Sequence, residues 1–259
     1  VVGDYVSTNM QGELDFFQRK GVWSVAAWVK CDDGASTASQ GLVGTSLDDT
    51  GYGFNLWMSS STSEGLRGDV PKNTSNQYIT NVNEGSAWPD SNWHHIAFVS
   101  DGTTATLYRD GTSIATQALG SLATANQQET TNALLFGASP SSGSAAGGLD
   151  GRMDDIRIFR RPITQSEITR LASYRGVLGP ALPEGLGDEQ VWLSPTITGN
   201  NANIANIMAS PAKYESNAEV VASTGEGGTK AFEFGGTDER VRVGQQQTFE
   251  NNKPRSVSY

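Results

Sequence analysis

The 259-residue chain holds one cysteine, Cys31, and two histidines, His94 and His95. A lone thiol can form neither an internal disulfide nor a multi-thiolate zinc site, so packing has to hold the fold together. Adjacent histidines on an extended strand point to opposite faces and cannot chelate one ion together. Lys and Arg number 18 against 28 Asp and Glu, a formal charge of −10, so the basic footprint needed by a nucleic-acid binder is missing. Long apolar runs are missing too. The best candidate, GVWSVAAWVK, is strand-sized and carries Ser24, well short of the ~20 residues of a membrane-spanning helix, so no membrane insertion is expected. Strong helix formers are scarce: 30 glycines and a charged content of 18% favour turns, and the composition leans all-β. The opening VVGDYV has neither an initiator Met nor a basic-then-apolar leader, and PRSVSY stops in mid-pattern, so the chain is expected to be a processed segment.

What is present is period-two patterning. From residue 1 to about 160, short alternating runs are separated by Gly, Asp, Asn and Ser clusters, the pattern of antiparallel strands joined by turns. In YGFNLWM, Tyr52, Phe54, Leu56 and Met58 share one face, with Gly53, Asn55 and Trp57 on the other. WHHIAFVS is apolar on both faces and reads as a central strand. The following SDGTTATLYRDGTSIAT places Asp101-Gly102 and Asp110-Gly111 at the ends of ATLYR, which predicts a three-stranded meander. One helix is predicted, from residue 165 to about 174, opened by a capping box of Thr164 and Glu167 and carrying Ile168 and Leu171 on one face.

After the helix, GVLGPALPEGLGDE packs two prolines and four glycines into a linker-like span. A boundary is therefore expected near residue 180, giving domains 1–179 and 180–259. Beyond it, VWLS, KAFEF and RVRVG read as strands. Phe249, Ser256 and Val257 stand at one constant offset from Phe17, Ser24 and Val25, so a second copy of the same fold is expected to begin near residue 189. By the same reasoning the first copy lacks opening strands equivalent to VWLS and AFEF.

Taken in order, SVAAWVK, WHHIAFVSDGTTATLYRDG, LLFGA and GGLDGRMDDIRIFRRPITQSEI resemble the signature stretches of LamG-like jelly-roll domains of the concanavalin A-like lectin and glucanase superfamily. The resemblance covers residues 1 to about 175, and TGEGGTKAFEFGGTDERVRVG resembles the opening of another such domain. It implies an antiparallel β-sandwich with one short helix, followed by a partial second sandwich. It does not imply a single function, since such folds host lectins, adhesion modules, glycosidases and structural repeats.

Retaining glucanases on this fold carry E-x-D-x-x-E or E-x-D-x-E along one strand. In GELDFFQ, Glu13 and Asp15 match, but the third position is Gln18 or Phe17, and neither can exchange a proton. No serine lies near a His-Asp arrangement and Cys31 has no activating base in the sequence, so the chain is expected not to be an enzyme. Asp150, Asp154 and Asp155 lie together in LDGRMDDIRIF beside glycines. Two readings stay open there: calcium ligation, with Asp154 and Asp4 as first candidates, or aspartates closing turns onto backbone amides. Sugar stacking needs an exposed aromatic ring. Trp28 and Trp93 lie in core motifs, which leaves Trp57 and Trp88 as platform candidates. The Arg160-Arg161 pair reads as a solvated turn.

The expected function is a non-catalytic extracellular, cell-surface or virion-surface module that binds a glycan or a surface protein, as in carbohydrate binding or adhesion. Repeated weak sites would add avidity. The alternative is a structural repeat of a filament, phage fibre or decoration protein, assembling with itself by strand addition or through tandem repeats; a third reading, a glycoside hydrolase, rests only on Glu13 and Asp15.

Overall fold

The computed structural model describes residues 6–8, 22–32, 39–45, 54–70, 80–119, 134–141, 144–173, 186, 189–193, 204–205, 211–215, 219–221, 231–235 and 240–243. In chain order the strands are β1 (Val6–Thr8), β2 (Val22–Cys31), β3 (Gln40–Gly44), β4 (Asn55–Met58), β5 (Leu66–Val70), β6 (Thr80–Asn83), β7 (His94–Asp101), β8 (Thr104–Arg109), β9 (Thr112–Ala118) and β10 (Leu134–Phe136). There follow β11 (Ser139–Ser141), β12 (Ser144–Ala146), β13 (Asp150–Phe159), the helix α1 (Gln165–Ser173), β14 (Glu189–Leu193), β15 (Ile204–Ala205), β16 (Pro211–Glu215), β17 (Glu219–Val221), β18 (Ala231–Gly235) and β19 (Arg240–Val243).

Two sheets face each other. The first runs β15-β16-β19-β1-β10-β3-β4-β5-β6; the second runs β17-β18-β13-β2-β7-β8-β9, with β14 also paired to β13. Among the described pairs, only β1 with β19 is parallel. The expected meander is present as β7-β8-β9, and its turns use left-handed backbone at Gly102, Asp110 and Gly111, φ 85°, 50° and 80°.

Alternation explains the core. From β2, Trp23, Val25, Ala27, Val29 and Cys31 point between the sheets, where the Trp23 ring lies 4.7 Å from Phe54 and 5.1 Å from Phe98. On the other face of the second sheet, Ala26, Ala97, Val99 and Phe159 receive Ile163, Ile168 and Leu171, so α1 caps that face. The capping box forms as the sequence predicts: Glu167 Oε2 accepts from the Thr164 amide at 2.7 Å, and the Glu167 amide donates to Thr164 Oγ1 at 3.3 Å. Arg161 is no solvated turn residue. Its guanidinium grips both Glu167 oxygens at 2.7 and 2.8 Å.

VWL, AFEF and RVRV lie in strands, and their pairing crosses the boundary expected near residue 180. The outer edge of β13 is covered by β18 along Asp150–Met153 and by β14 along Ile156–Phe159, while β19 lies against β1. The segment resembling a second copy's opening thus contributes strands to both sheets of this sandwich.

Candidate functional site

α1 lies on the outer face of the second sheet, and the candidate site lies on the outer face of the first. Along β4, Phe54, Leu56 and Met58 enter the core, so strict alternation turns Asn55 and Trp57 outward, where both are half-buried. On β5, Leu66 and Val70 go in, and Arg67 and Asp69 come out. Gly68 between them has no room for a side chain, because a Cβ would sit 2.5 Å from the Phe98 ring. Register sets Arg67 opposite Trp57 and Asp69 opposite Asn55. On the other flank, Trp57 and Asn55 face Gly41 and Gly44 of β3, so no β3 side chain stands against the indole.

Trp57, Arg67, Asp69 and Glu64 interlock. Trp57 Nε1 donates to Asp69 Oδ2 at 2.9 Å, and Arg67 Nε donates to Asp69 Oδ1 at 3.1 Å. The guanidinium lies 4.7 Å from the indole centroid, a cation–π distance. Its Nη1 is ion-paired with Glu64 Oε2 at 3.4 Å, and that oxygen also accepts from Ser59 Oγ at 2.6 Å. Burial pushes the Asp69 carboxyl above its ordinary value while Arg67 and Trp57 pull it back. Glu64 is lowered, chiefly by the Ser59 hydroxyl. Asn55 Oδ1 is buried nearby without a hydrogen-bond partner. The result is an aromatic surface edged by carboxylates, suited to a ligand with an apolar face and a rim of hydroxyls.

Trp88, the other expected platform, is elsewhere. Only 6% exposed, it packs in the core with its ring edge-on to His94 at 5.2 Å, so burial removes it from the surface. Trp28 is buried as expected, whereas Trp93 is only half-buried.

Asp154 is also enclosed, and its Oδ1 accepts from the Asp155 amide at 2.7 Å, the backbone-closing arrangement. A bulge between Asp154 and Arg157 puts Asp155 at φ 48°, from where it holds the buried Arg157 Nε at 2.9 Å. Asp4, Glu13 and Asp15 lie outside the described residues. Among the described residues no group of three or more His, Cys, Asp or Glu side chains is placed to hold a metal ion.

The sequence reading names Trp57 and does not name Glu64, Arg67 or Asp69, which the structure places around it. A signal existed: in LRGDV, two opposite charges alternate around a glycine two strands' length from YGFNLWM, as an outward-facing pair on a neighbouring strand would.

A family profile described as the concanavalin A-like lectin/glucanases superfamily matches residues 2–169. No curated protein matches the chain. Among solved structures, the chain is similar to the CBM40 domain of a Ruminococcus gnavus IT-sialidase, bound there to alpha2,3 sialyllactose: TM-score 0.52, 12% identity, 67% of this chain and 95% of that one covered. It is also similar to a Bacteroides ovatus protein named for an inferred carbohydrate-binding role, with TM-score 0.50, 11% identity, and 93% and 59% coverage. A leech intramolecular trans-sialidase gives TM-score 0.50 and 11% identity over 83% of this chain and 35% of that one. At such identities the likeness is one of fold.

Proposed function

Because the chain belongs to the concanavalin A-like lectin/glucanases superfamily, we propose that it is a non-catalytic carbohydrate-binding module displayed outside the cell, with Trp57 as its sugar platform. One observation carries this reading: the Trp57 indole is held outward by Asp69 and Arg67, beside the side-chain-free positions Gly41 and Gly44. Pre-orientation lowers the ordering cost of binding, and an indole plane stacks on the C–H face of a pyranose. The fold of the CBM40 domain supports the same reading. Neither Glu64 nor Asp69 is set up for acid–base chemistry, since both serve the same guanidinium.

The test is a glycan array followed by calorimetry on the native chain and Trp57→Ala. Binding that weakens about tenfold or more in the variant, as loss of an aromatic anchor should cause, supports the proposal. Absence of binding to any glycan, or affinity indifferent to Trp57, overturns it.

A second reading, a self-assembling structural repeat, is favoured by the cover on β13, because strands that complete an edge within one chain could complete the same edge in another. Light scattering across a wide concentration range separates the two; a strictly monomeric species removes the second.

A further inference from the structure

We propose that the Trp57 surface selects uncharged sugars and rejects carboxylated ones such as sialic acids or uronic acids, because Arg67, whose guanidinium is the one there among the described residues, is already committed to two carboxylates of this chain. The inference rests on the reading of that surface as a sugar platform and specifies its ligand class.

Carboxylate sugars are usually held by a guanidinium through two parallel N–H···O bonds, along either the Nε/Nη2 or the Nη1/Nη2 edge. In Arg67 both edges have lost one nitrogen: Nε donates to Asp69 Oδ1 at 3.1 Å, and Nη1 is paired with Glu64 at 3.4 Å. Neither partner is easily displaced. Asp69 is 7% exposed and also accepts from Trp57 Nε1, so pulling Arg67 away would leave a buried carboxylate without its cation. Glu64 is tethered through Ser59 Oγ in the turn that Ser59 and Gly65 close, the Ser59 amide donating to the Gly65 carbonyl at 2.9 Å.

The charge sum points the same way. Glu64, Arg67 and Asp69 together carry one net negative charge when ionised, within a chain of formal charge −10. An arriving carboxylate would be repelled by two fixed anions and offered a single free N–H-bearing nitrogen. An uncharged sugar meets no such barrier: its hydroxyls can donate to the half-buried Glu64 carboxylate.

The experiment is an array of glycans in matched pairs, each uncharged structure beside its sialylated or uronate-bearing counterpart, probed with the native chain and with Glu64→Gln. The expected result is binding confined to uncharged members and nearly independent of salt, because no ligand charge is there to screen. In Glu64→Gln one guanidinium nitrogen is released and one anion removed, so carboxylated members should gain about tenfold while the uncharged ones hold. Equal or tighter binding of carboxylated members by the native chain overturns this inference and leaves the sugar platform standing. No binding to either member of any pair overturns the platform itself, and the selectivity with it. Carboxylated members that gain nothing in Glu64→Gln show that Arg67 does not set the discrimination and equally overturn the inference.

Discussion

His94 and His95 are consecutive in the chain and share the Asp110 carboxylate, yet they titrate in opposite directions, because burial outweighs that carboxylate at His95. Asp110 Oδ2 binds the His94 Nδ1 at 2.6 Å, while its Oδ1 accepts the backbone amide of His95 at 3.0 Å. His94 Nε2 meets Asp90 Oδ1 at 3.0 Å, so both ring nitrogens face acceptors and the imidazolium is favoured. His94 is therefore raised above its ordinary 6.5, the Asp110 hydrogen bond leading. His95, on the other face of β7, sits edge-on to Trp28 at 5.4 Å, and burial drives it down to about 3.

The two histidines pull stability in different directions with pH. His94 contributes most below its unfolded value near 6.5, and that contribution disappears as pH rises through its raised folded value. For His95 the folded state refuses the proton, so stability is full above 6.5 and declines as pH falls from there toward 3. Two-dimensional NMR of the imidazole protons should show one ring titrating above 6.5 and one remaining neutral until the protein unfolds in acid. Two rings titrating together near 6.5 would contradict the assignment.

The cap of α1 should be acid-sensitive. Arg161 leads in lowering the Glu167 carboxyl to about 2, with Thr164 assisting. A carboxyl lowered on folding stabilises fully above its unfolded value of 4.5, and that stability is lost as pH falls through the interval toward 2. Glu167→Gln should flatten this part of the stability profile measured by thermal melts between pH 5 and 2. Thr164→Ala should cost about 1 kcal/mol at neutral pH. An unchanged acid limb in Glu167→Gln would refute the role given to the cap.

Asp69 holds two donors in a nearly enclosed position, Trp57 Nε1 and Arg67 Nε. Truncation in Asp69→Ala should destabilise the fold by about 1–3 kcal/mol, the cost of leaving such groups unsatisfied. Urea unfolding measures it, and Trp57 fluorescence should shift to the red as the indole loosens. A variant as stable as the native chain, with unchanged emission, would mean the quartet is not held as described.

Gly68 is required by a close approach between the sheets. A Cβ there would lie 2.5 Å from Phe98 Cζ, deep in the core, so Gly68→Ala should cost about 1–3 kcal/mol through overpacking. Calorimetric melting would show it.

The edge of β13 predicts what truncation does. Without residues 181–259, the pairing of β13 with β14 and β18 is lost and a ten-residue strand presents unpaired backbone to solvent. The shortened chain should self-associate under light scattering, in contrast to the full one. A monodisperse, stable 1–180 monomer would show that the edge needs no cover.

Much of this was legible locally. Out-in alternation in YGFNLWM fixes Leu56 inside and Trp57 outside without reference to any neighbour, and the Thr164/Glu167 pair marks the start of α1 within one turn of chain. The burial of Trp88 is not legible in the sequence, because a lone aromatic in the loop SAWPD carries no periodicity and its place depends on the core and on His94 beside it.

Sequence alone therefore settled the class of fold, the strand faces and the helix cap, because each follows from composition or from neighbours a few residues apart. Tertiary structure decided which strands meet. Only register between β3, β4 and β5 places Gly41 and Arg67 on either side of Trp57, and only sheet order lays β14 and β18 along β13. A period of two says which face a side chain takes but nothing about its partner across the ladder, since pairing is fixed by the packing of the whole core.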